Sequence, residues 1–434
     1  MKEPTSSTSP IFYGLGIAPK LLEILEKHKY LSPTPIQQKS IPIAIEGKDI
    51  IGIAQTGTGK TLAFGIPLIQ RLAQTKGRGL VILPTRELAL QVEEVFQKIG
   101  RGVGLRTAVL IGGASMHQQI QALRNKPHVI VATPGRLIDH LEQRTVSLGD
   151  VKVLVLDEAD RMLDMGFAPQ INKILATVPK DRQTMLFSAT MPAGIVTIAS
   201  KYMKLPVRVE IARQGTAAER VVQELFVVRK EDKTRLLEKL LTEYRGPVLV
   251  FSRTKHGAKK ITRSVKIMGH NAAEIHSNKS LAQRKEALGG FKTGKYRVLV
   301  ATDIAARGID VTGIELVLNY DLPDNAEDYV HRIGRTGRAG MAGRAISFAT
   351  PDQTADVRAI ERLIRTTLPK SALPVLPPAR AQVAEQEERS WQPQRPQGSR
   401  GHNHARSGGR PSAGSSSHGS SGRSQGRRRF GRSW

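Results

Sequence analysis

Cysteine is absent from the whole 434-residue sequence. That excludes a disulfide framework, a thiolate zinc site, an iron–sulfur cluster and a cysteine nucleophile. Long apolar runs are also missing: the longer ones, such as Val151–Leu156, fall far short of the roughly 18 residues that a membrane span requires. The first ten residues, MKEPTSSTSP, lack the apolar core of a signal peptide. Acids are scarce, 38 against 66 lysines and arginines, for a formal charge of +28. From Ser390 to Trp434 there are nine arginines and no acid, about a third of that excess. The expectation is a soluble, cytoplasmic protein, with no membrane partner, that meets a polyanion.

Hydrophobic residues make up 39% of the chain, enough for sizeable cores. Short Val/Ile/Leu runs alternate with amphipathic stretches, which predicts an α/β fold with parallel strands covered on both faces. Expected strands are Ile50–Ala54, Leu80–Leu83, Val129–Ala132, Val151–Leu156 and Thr184–Phe187, then Val248–Phe251, Val298–Ala301, Leu316–Asn319 and Ala345–Phe348. The two series have a similar rhythm. They predict domains at 20–208 and 220–368, joined by a small, polar linker at 209–219. Residues 1–19 read as a flexible start and 369–434 as a disordered Arg/Gly/Ser-rich tail, too poor in apolar surface to offset its ordering entropy.

Three local patterns carry chemistry. Ala54-Gln55-Thr56-Gly57-Thr58-Gly59-Lys60-Thr61 leaves an apolar run and opens an amphipathic one. Glycines there let consecutive N–H groups and a helix N-terminus face one anion. Lys60 would reach the β- and γ-phosphates of a nucleotide, and the Thr61 hydroxyl would ligate Mg²⁺. Ala54 stands where the strict motif has its first glycine, and an ordinary Gly-rich turn would read the same way. Second, Val151-Lys-Val-Leu-Val-Leu-Asp157-Glu158-Ala-Asp160 places carboxylates at the tip of a buried strand, where open α/β sheets bind ligands. Asp157 suits a Mg²⁺ shell and Glu158 the orientation of an attacking water. A solvated acidic turn is the plain alternative. Third, His331-Arg-Ile-Gly-Arg335-Thr-Gly-Arg338 offers forked donors for phosphate oxygens, although basic runs are often only solvated. With the phosphate loop in one domain and these arginines in the other, arginine fingers would arrive when a cleft closes.

AQTGTGKT, PTREL (Pro84–Leu88), TPGR (Thr133–Arg136), DEAD (Asp157–Asp160), SAT (Ser188–Thr190), ARGID (Ala306–Asp310) and HRIGRTGR occur in one order. Over about residues 12–350 the chain resembles a DEAD-box ATP-dependent RNA helicase, and LDEADRMLDMGF and VLVATDIAARGID resemble the bacterial RhlE-type subgroup. The resemblance implies two tandem RecA-like domains with ATP and Mg²⁺ as cofactors. It implies that Gln37 pairs with adenine, that Phe12 stacks on the base and that Asp310 contacts ribose. Arg335 and Arg338 match the fingers, His331 would bridge the ATP site to the SAT segment, and Ser188 and Thr190 would transmit nucleotide state. RNA contacts are implied at Pro84, Thr85, Arg86, Gly112, Gly113, Thr133, Gly135 and Arg136, and at Arg253, Thr302 and Arg307 in the second domain. Phosphate and 2′-OH contacts of this kind read strand chemistry, not sequence.

Three positions depart from the family pattern: Lys29 and Ser277 stand where glycine is usual, and Leu281 where glutamine is. The last bears on an interdomain or RNA contact. The expected activity is RNA-stimulated ATP hydrolysis driving local, non-processive opening of short duplexes. Single-stranded and duplex RNA are the expected partners. Ribosome precursors or an RNA-degradation complex fit as well, with a monomer as the working state. The alternatives are an RNA-annealing chaperone acting through the basic tail and a DNA-directed helicase of the same superfamily.

Overall fold

The computed structural model describes residues 12–55, 57–211, 221–303, 311, 313–337 and 343–378. Its first sheet is built from β1 (Ile50–Ile53), β2 (Arg78–Ile82), β3 (Thr107–Leu110), β4 (Val129–Ala132), β5 (Val151–Leu156), β6 (Gln183–Ser188) and β7 (Val207–Glu210). The second comprises β8 (Val221–Val227), β9 (Val248–Phe251), β10 (Ala272–Ile275), β11 (Val298–Ala301), β12 (Leu316–Asn319), β13 (Gly343–Ala349) and β14 (Lys370–Ser371). The strand orders are 3-4-2-5-6-1-7 and 10-11-9-12-13-8-14. Lowering each label of the second sheet by seven reproduces the first, so the shared rhythm of the two halves is one topology used twice. All pairings are parallel.

Runs such as IIGI, VIVA and VLVF are buried at every position, as strands sandwiched between two helical layers must be. Each sheet therefore separates two apolar clusters. In the first lobe one cluster centres on Phe64, Phe96 and Phe187 and the other on Leu80, Leu154 and Leu186. Asp49, at the base of β1, is buried and accepts the Thr184 and Lys204 amides at 2.7 Å each, which fixes the entry to β6 and the turn before β7.

The lobes extend further than the sequence indicates. Phe12 and Ile17 belong to the first lobe's core, so residues 12–18 pack on it. Strand β7 runs to Glu210, past the expected boundary at 208. Strand β14 pairs with β8, and Arg235 Nε donates to the Pro377 carbonyl at 2.7 Å, so the second lobe continues beyond 368. Leu368 and Leu376 supply the apolar anchors that hold this segment. The remainder of the expected tail, 379–434, lies outside the described residues, as do 1–11, linker residues 212–219 and residue 220. Among the described residues no helix is long and apolar enough to cross a membrane.

Arg332 organises the second lobe's interior. It is 1% exposed. Its Nε and Nη2 donate to the Asp303 carboxylate at 2.6 and 2.7 Å, and its Nη1 to Asn319 Oδ1 at 3.2 Å and to the Asp321 carbonyl at 2.6 Å. The guanidinium lies 5.0 Å from the Phe251 ring centroid. Removing it would strand a carboxylate among unsatisfied acceptors. Arg332→Ala is expected to cost the second lobe about 3–5 kcal/mol, read as faster amide hydrogen exchange in β9 and β12 with the first lobe's exchange unchanged.

Candidate functional site

Sheet order decides what can meet at the strand ends. Strands β5, β6 and β1 are neighbours. Their C-terminal ends carry Asp157–Asp160, Ser188–Thr190 and Ala54–Lys60 respectively. Strands β2, β4 and β3 form the other half of the sheet and end at Pro84–Arg86, Thr133–Arg136 and Gly112–Gly113. One edge of the first lobe thus divides into two adjoining patches.

In the first patch Gly57 and Gly59 hold φ of +86° and +88°, the left-handed region that glycine enters without strain. A Cβ on Gly59 would also run into the Gln37 amide. Lys60, buried at the start of the Lys60–Gln74 helix, donates to the Ala54 carbonyl at 3.1 Å. Thr58 Oγ1 donates to the Gln55 carbonyl at 2.7 Å, and the Ala54 amide to the Ser188 carbonyl at 3.0 Å. Thr61 occupies the second helical position, and Thr56 lies outside the described residues. Gln37 is buried; its Oε1 accepts the Thr34 amide and its Nε2 donates to the Gly59 carbonyl, both at 2.9 Å. Each amide atom keeps one further bonding position, enough to pair with a base. Phe12 is 4% exposed within the core, not displayed at the surface.

Asp157 is pushed up to about 6 by burial, against the pull of Lys60 and with Glu158 adding to the rise. Asp160 ends below its ordinary value: burial raises it, but Lys60 and the hydrogen bonds from Thr190 outweigh that. Asp160 Oδ2 accepts the Ala189 amide at 3.0 Å, the Thr190 amide at 2.8 Å and the Thr190 hydroxyl at 2.9 Å, while Ser188 Oγ accepts the Asp160 amide at 3.3 Å. The last acid of DEAD is therefore clamped to SAT. Three buried carboxylates against two buried cations, Lys60 and Arg161, still leave one negative charge in excess among oxygen donors, a fit for a hard divalent cation. Among the described residues no group of three or more acidic or histidine side chains forms an all-protein metal cage. Mg²⁺ ordinarily binds through one or two carboxylates plus nucleotide phosphates, which suits Asp157 and Thr61.

Glu158 is the residue of this patch with strained backbone, φ 52° and ψ 49°, as N-cap of the Ala159–Asp164 helix. Its Oε2 lies 3.3 Å from Arg161 Nη1, both side chains buried. Arg161 Nη2 lies 2.7 Å from His331 Nδ1 of the second lobe. His331 thus reaches the first lobe through the arginine after DEAD, and its contact with SAT passes by way of Asp160 and Arg161. Arg161 was not singled out in the sequence because nothing local distinguishes it from any solvated helix arginine. Arg335 is buried, its Nε donating to the His331 carbonyl at 3.1 Å. Arg338 and Asp310 lie outside the described residues.

The second patch gathers helix N-termini. Thr85 caps the Arg86–Gly100 helix, its Oγ1 accepting the Leu88 amide at 3.3 Å; Ser115 caps Met116–Arg124; and Thr133 is the N-cap residue of Pro134–Glu142. Such ends favour anions. Arg86 lies over Gly112 and Gly113, where any Cβ would meet its guanidinium. It sits below its ordinary value, first through burial and then through Arg284 and Arg136, so three arginines share this ground. Arg136 Nη1 donates to the Ala114 carbonyl at 3.0 Å, and the space beside Gly135 is open. In the second lobe Arg253 Nε pairs with Asp324 at 3.1 Å and Thr302 directly follows β11; Arg307 lies outside the described residues.

The patches connect to the second lobe at two more places. Glu87 Oε1 lies 2.8 Å from Arg284 Nε, with side chains only 6% and 9% exposed. Leu281, in the turn before Arg284, packs against the first lobe's core cluster, so the position where glutamine is usual makes an apolar contact between the lobes here. Lys29 holds φ of +61°, which explains the usual glycine there and carries a small strain. Ser277 is exposed and is not among the residues with positive φ, so its backbone does not require glycine.

A phosphate-type loop, buried acids and two RecA-like sheets that share one topology define a two-lobed P-loop ATPase. The DEAD/DEAH box helicase family matches residues 34–198 and the helicase conserved C-terminal domain matches 232–340. The chain is 44% identical over 367 residues to the ATP-dependent rRNA helicase RRP3 of Debaryomyces hansenii, covering 84% of this chain and 77% of that one. Over 369 residues it is 43% identical to the DEAD-box ATP-dependent RNA helicase CshA of Bacillus cereus, covering 84% and 70%. It is also similar to the structure of S. cerevisiae Dbp5 bound to RNA and ADP BeF3, with a TM-score of 0.75 at 30% identity over 84% of this chain and 96% of that one. The protein belongs to the DEAD-box family of ATP-dependent RNA helicases.

Proposed function

We propose that the chain is an RNA-stimulated ATPase of the RhlE type, working in the cytoplasm as a monomer, that opens short duplexes locally and remodels RNA–protein complexes. The observation that carries this reading is the division of one sheet edge into a nucleotide patch and an RNA patch, each tied to the second lobe. Lys60 and the loop amides would hold the phosphates, Gln37 the adenine edge and Asp310 the ribose, while Phe12, packed in the core, would support the pocket from behind. Bound through Thr61 and Asp157, Mg²⁺ would supply charge neutralisation at the phosphates. Glu158 would accept a proton from water, held in place by Arg161, and Arg335 and Arg338 would meet the transferred phosphoryl group. Pro84, Thr85, Arg86, Gly112, Gly113, Thr133, Gly135 and Arg136, with Arg253, Thr302 and Arg307, would follow one RNA strand. Because nucleotide and strand each favour the same closed arrangement, their affinities are linked. Structured ribosomal precursors and an RNA-degradation complex are the settings we favour.

The test is the steady-state ATPase rate without nucleic acid, with RNA and with single-stranded DNA. Stimulation by RNA alone is the expected result. Equal stimulation by DNA, or turnover indifferent to RNA, would overturn the assignment.

A further inference from the structure

Outside the cleft, the densest charge of one sign on the described residues is the Lys255–Ile267 helix, KHGAKKITRSVKI. It has five lysines and arginines, a histidine and no carboxylate. Ala258, Ile261, Thr262 and Val265 bury its inner face, where Ala258, Ile261 and Val265 join the cluster on one side of the second sheet. Lys255, His256, Lys259, Lys260, Arg263 and Lys266 are all exposed. At 3.6 residues per turn they fall within about 140° of arc and run about 16 Å along the axis. Among the described residues Lys260, Arg263 and Lys266 make no ion pair with a carboxylate within 4.0 Å. Lys255 Nζ donates to Asn278 Oδ1 at 3.2 Å, and Glu286 lies within electrostatic reach of Lys266. Packing does not require this stripe, and like charges set side by side repel one another, which costs stability when nothing anionic is bound.

Its position selects the partner. The helix starts at its N-cap Thr254, immediately after Arg253 on the RNA side of the second lobe. From there it runs back along the sheet face opposite the one covered by the Leu281–Lys292 helix, which meets the first lobe. Successive turns set cations about 6 Å apart along the axis, a spacing that a sugar–phosphate backbone can follow. We propose that this stripe is a second RNA-binding surface, engaging the phosphates of RNA that continues beyond the cleft past Arg253. This rests on the RNA-helicase reading above. The stripe would anchor the flanking RNA while the cleft works on a few nucleotides, adding affinity by counterion release without sequence preference.

The test compares the full chain with a variant carrying Lys260→Glu, Arg263→Glu and Lys266→Glu, and with its neutral Gln counterpart. Fluorescence anisotropy would be read with a single strand of about six nucleotides, the footprint of one single-strand site, and with one of about 25. We expect the longer RNA to bind about tenfold more weakly to the Glu variant at low salt. Its salt slope should fall by about 2, from roughly 0.7 per lost contact. The Gln variant should lie between, and hexamer affinity and plateau ATPase rate should stay within about twofold. Unchanged binding of the longer RNA would overturn the proposal. So would an equal loss with the hexamer, which would mean that the cleft itself had been disturbed. If only retention of poly-glutamate changed, the surface would serve an acidic protein instead. Because anisotropy reads binding directly, absent RNA-stimulated turnover in the parent chain would count against the ATPase reading and not against the stripe.

Discussion

Glu158→Gln is expected to lower RNA-stimulated ATP turnover by about 10²- to 10⁴-fold while leaving ATP and RNA affinities within a few-fold of the parent. Glutamine keeps the volume and one acceptor oxygen but cannot take a proton from water. The geometry around Glu158 argues for a group held in readiness. Its backbone sits at φ 52° and ψ 49°, a conformation that costs a non-glycine residue roughly 1–3 kcal/mol. Arg161 stands 3.3 Å from the carboxylate, an ion pair without a hydrogen bond, and also meets His331. Single-turnover rates beside equilibrium binding would separate the chemical step from affinity. A variant that binds normally and turns over within about tenfold of the parent would move the proton-accepting role to another group.

Much of this site can be read from the chain because its chemistry is local. A phosphate loop is a run of consecutive backbone groups, so its residues are contiguous, and DEAD and SAT each follow one buried strand. The central strands are legible for the same reason. Continuous apolar runs set Val129–Ala132, Val151–Leu156, Val248–Phe251, Val298–Ala301 and Leu316–Asn319 to the residue. The edge strands β3, β7, β10 and β14 escape notice because one side is uncovered and their sequences are correspondingly mixed: TAVL alternates between half-buried and buried positions, and VRVE buries only its third. Strand β8, VVQELFV, is inside the sheet but carries polar residues where Tyr329 and Ser371 meet Gln223 and Glu224.

Charge pairing over long separations is the other illegible part. HRIGRTGR reads as three equivalent arginines. The helix phase turns Arg332 inward to Asp303 and Asn319, whereas Arg335 folds back on the His331 carbonyl. Nothing in the local spacing distinguishes these fates. Glu87 is likewise the unremarked fourth letter of PTREL, and only the folded chain brings Arg284 to it across the sequence.

That pair supports the second large expectation. Glu87 lies in the first turn of the Arg86–Gly100 helix, where a carboxylate also suits the positive end. It is the acid beside Arg86 and Arg284, where Arg284 and Arg136 lie close enough to hold Arg86 below its ordinary value after burial. Removing the two partners should therefore be unequal. Arg284→Ala leaves Glu87 beside Arg86, and the charge finds a second neighbour. Glu87→Ala leaves the arginines facing one another across the lobes. Breaking a buried pair costs about 3–5 kcal/mol, and any share borne by the closed arrangement alone shifts the lobes toward opening. We expect RNA-stimulated turnover at subsaturating RNA to fall about 10²-fold for Glu87→Ala and clearly less for Arg284→Ala. The double variant should be no worse than Glu87→Ala, the non-additivity that contacting residues show. Leu281 should keep part of the closure in every case, because its contact with the first lobe's core needs no charge. Fluorescence energy transfer between labels on the two lobes, titrated with RNA at saturating ATP, reads the closure directly. Closure and turnover within twofold of the parent in Glu87→Ala would show that the ion pair accompanies the closed arrangement without holding it.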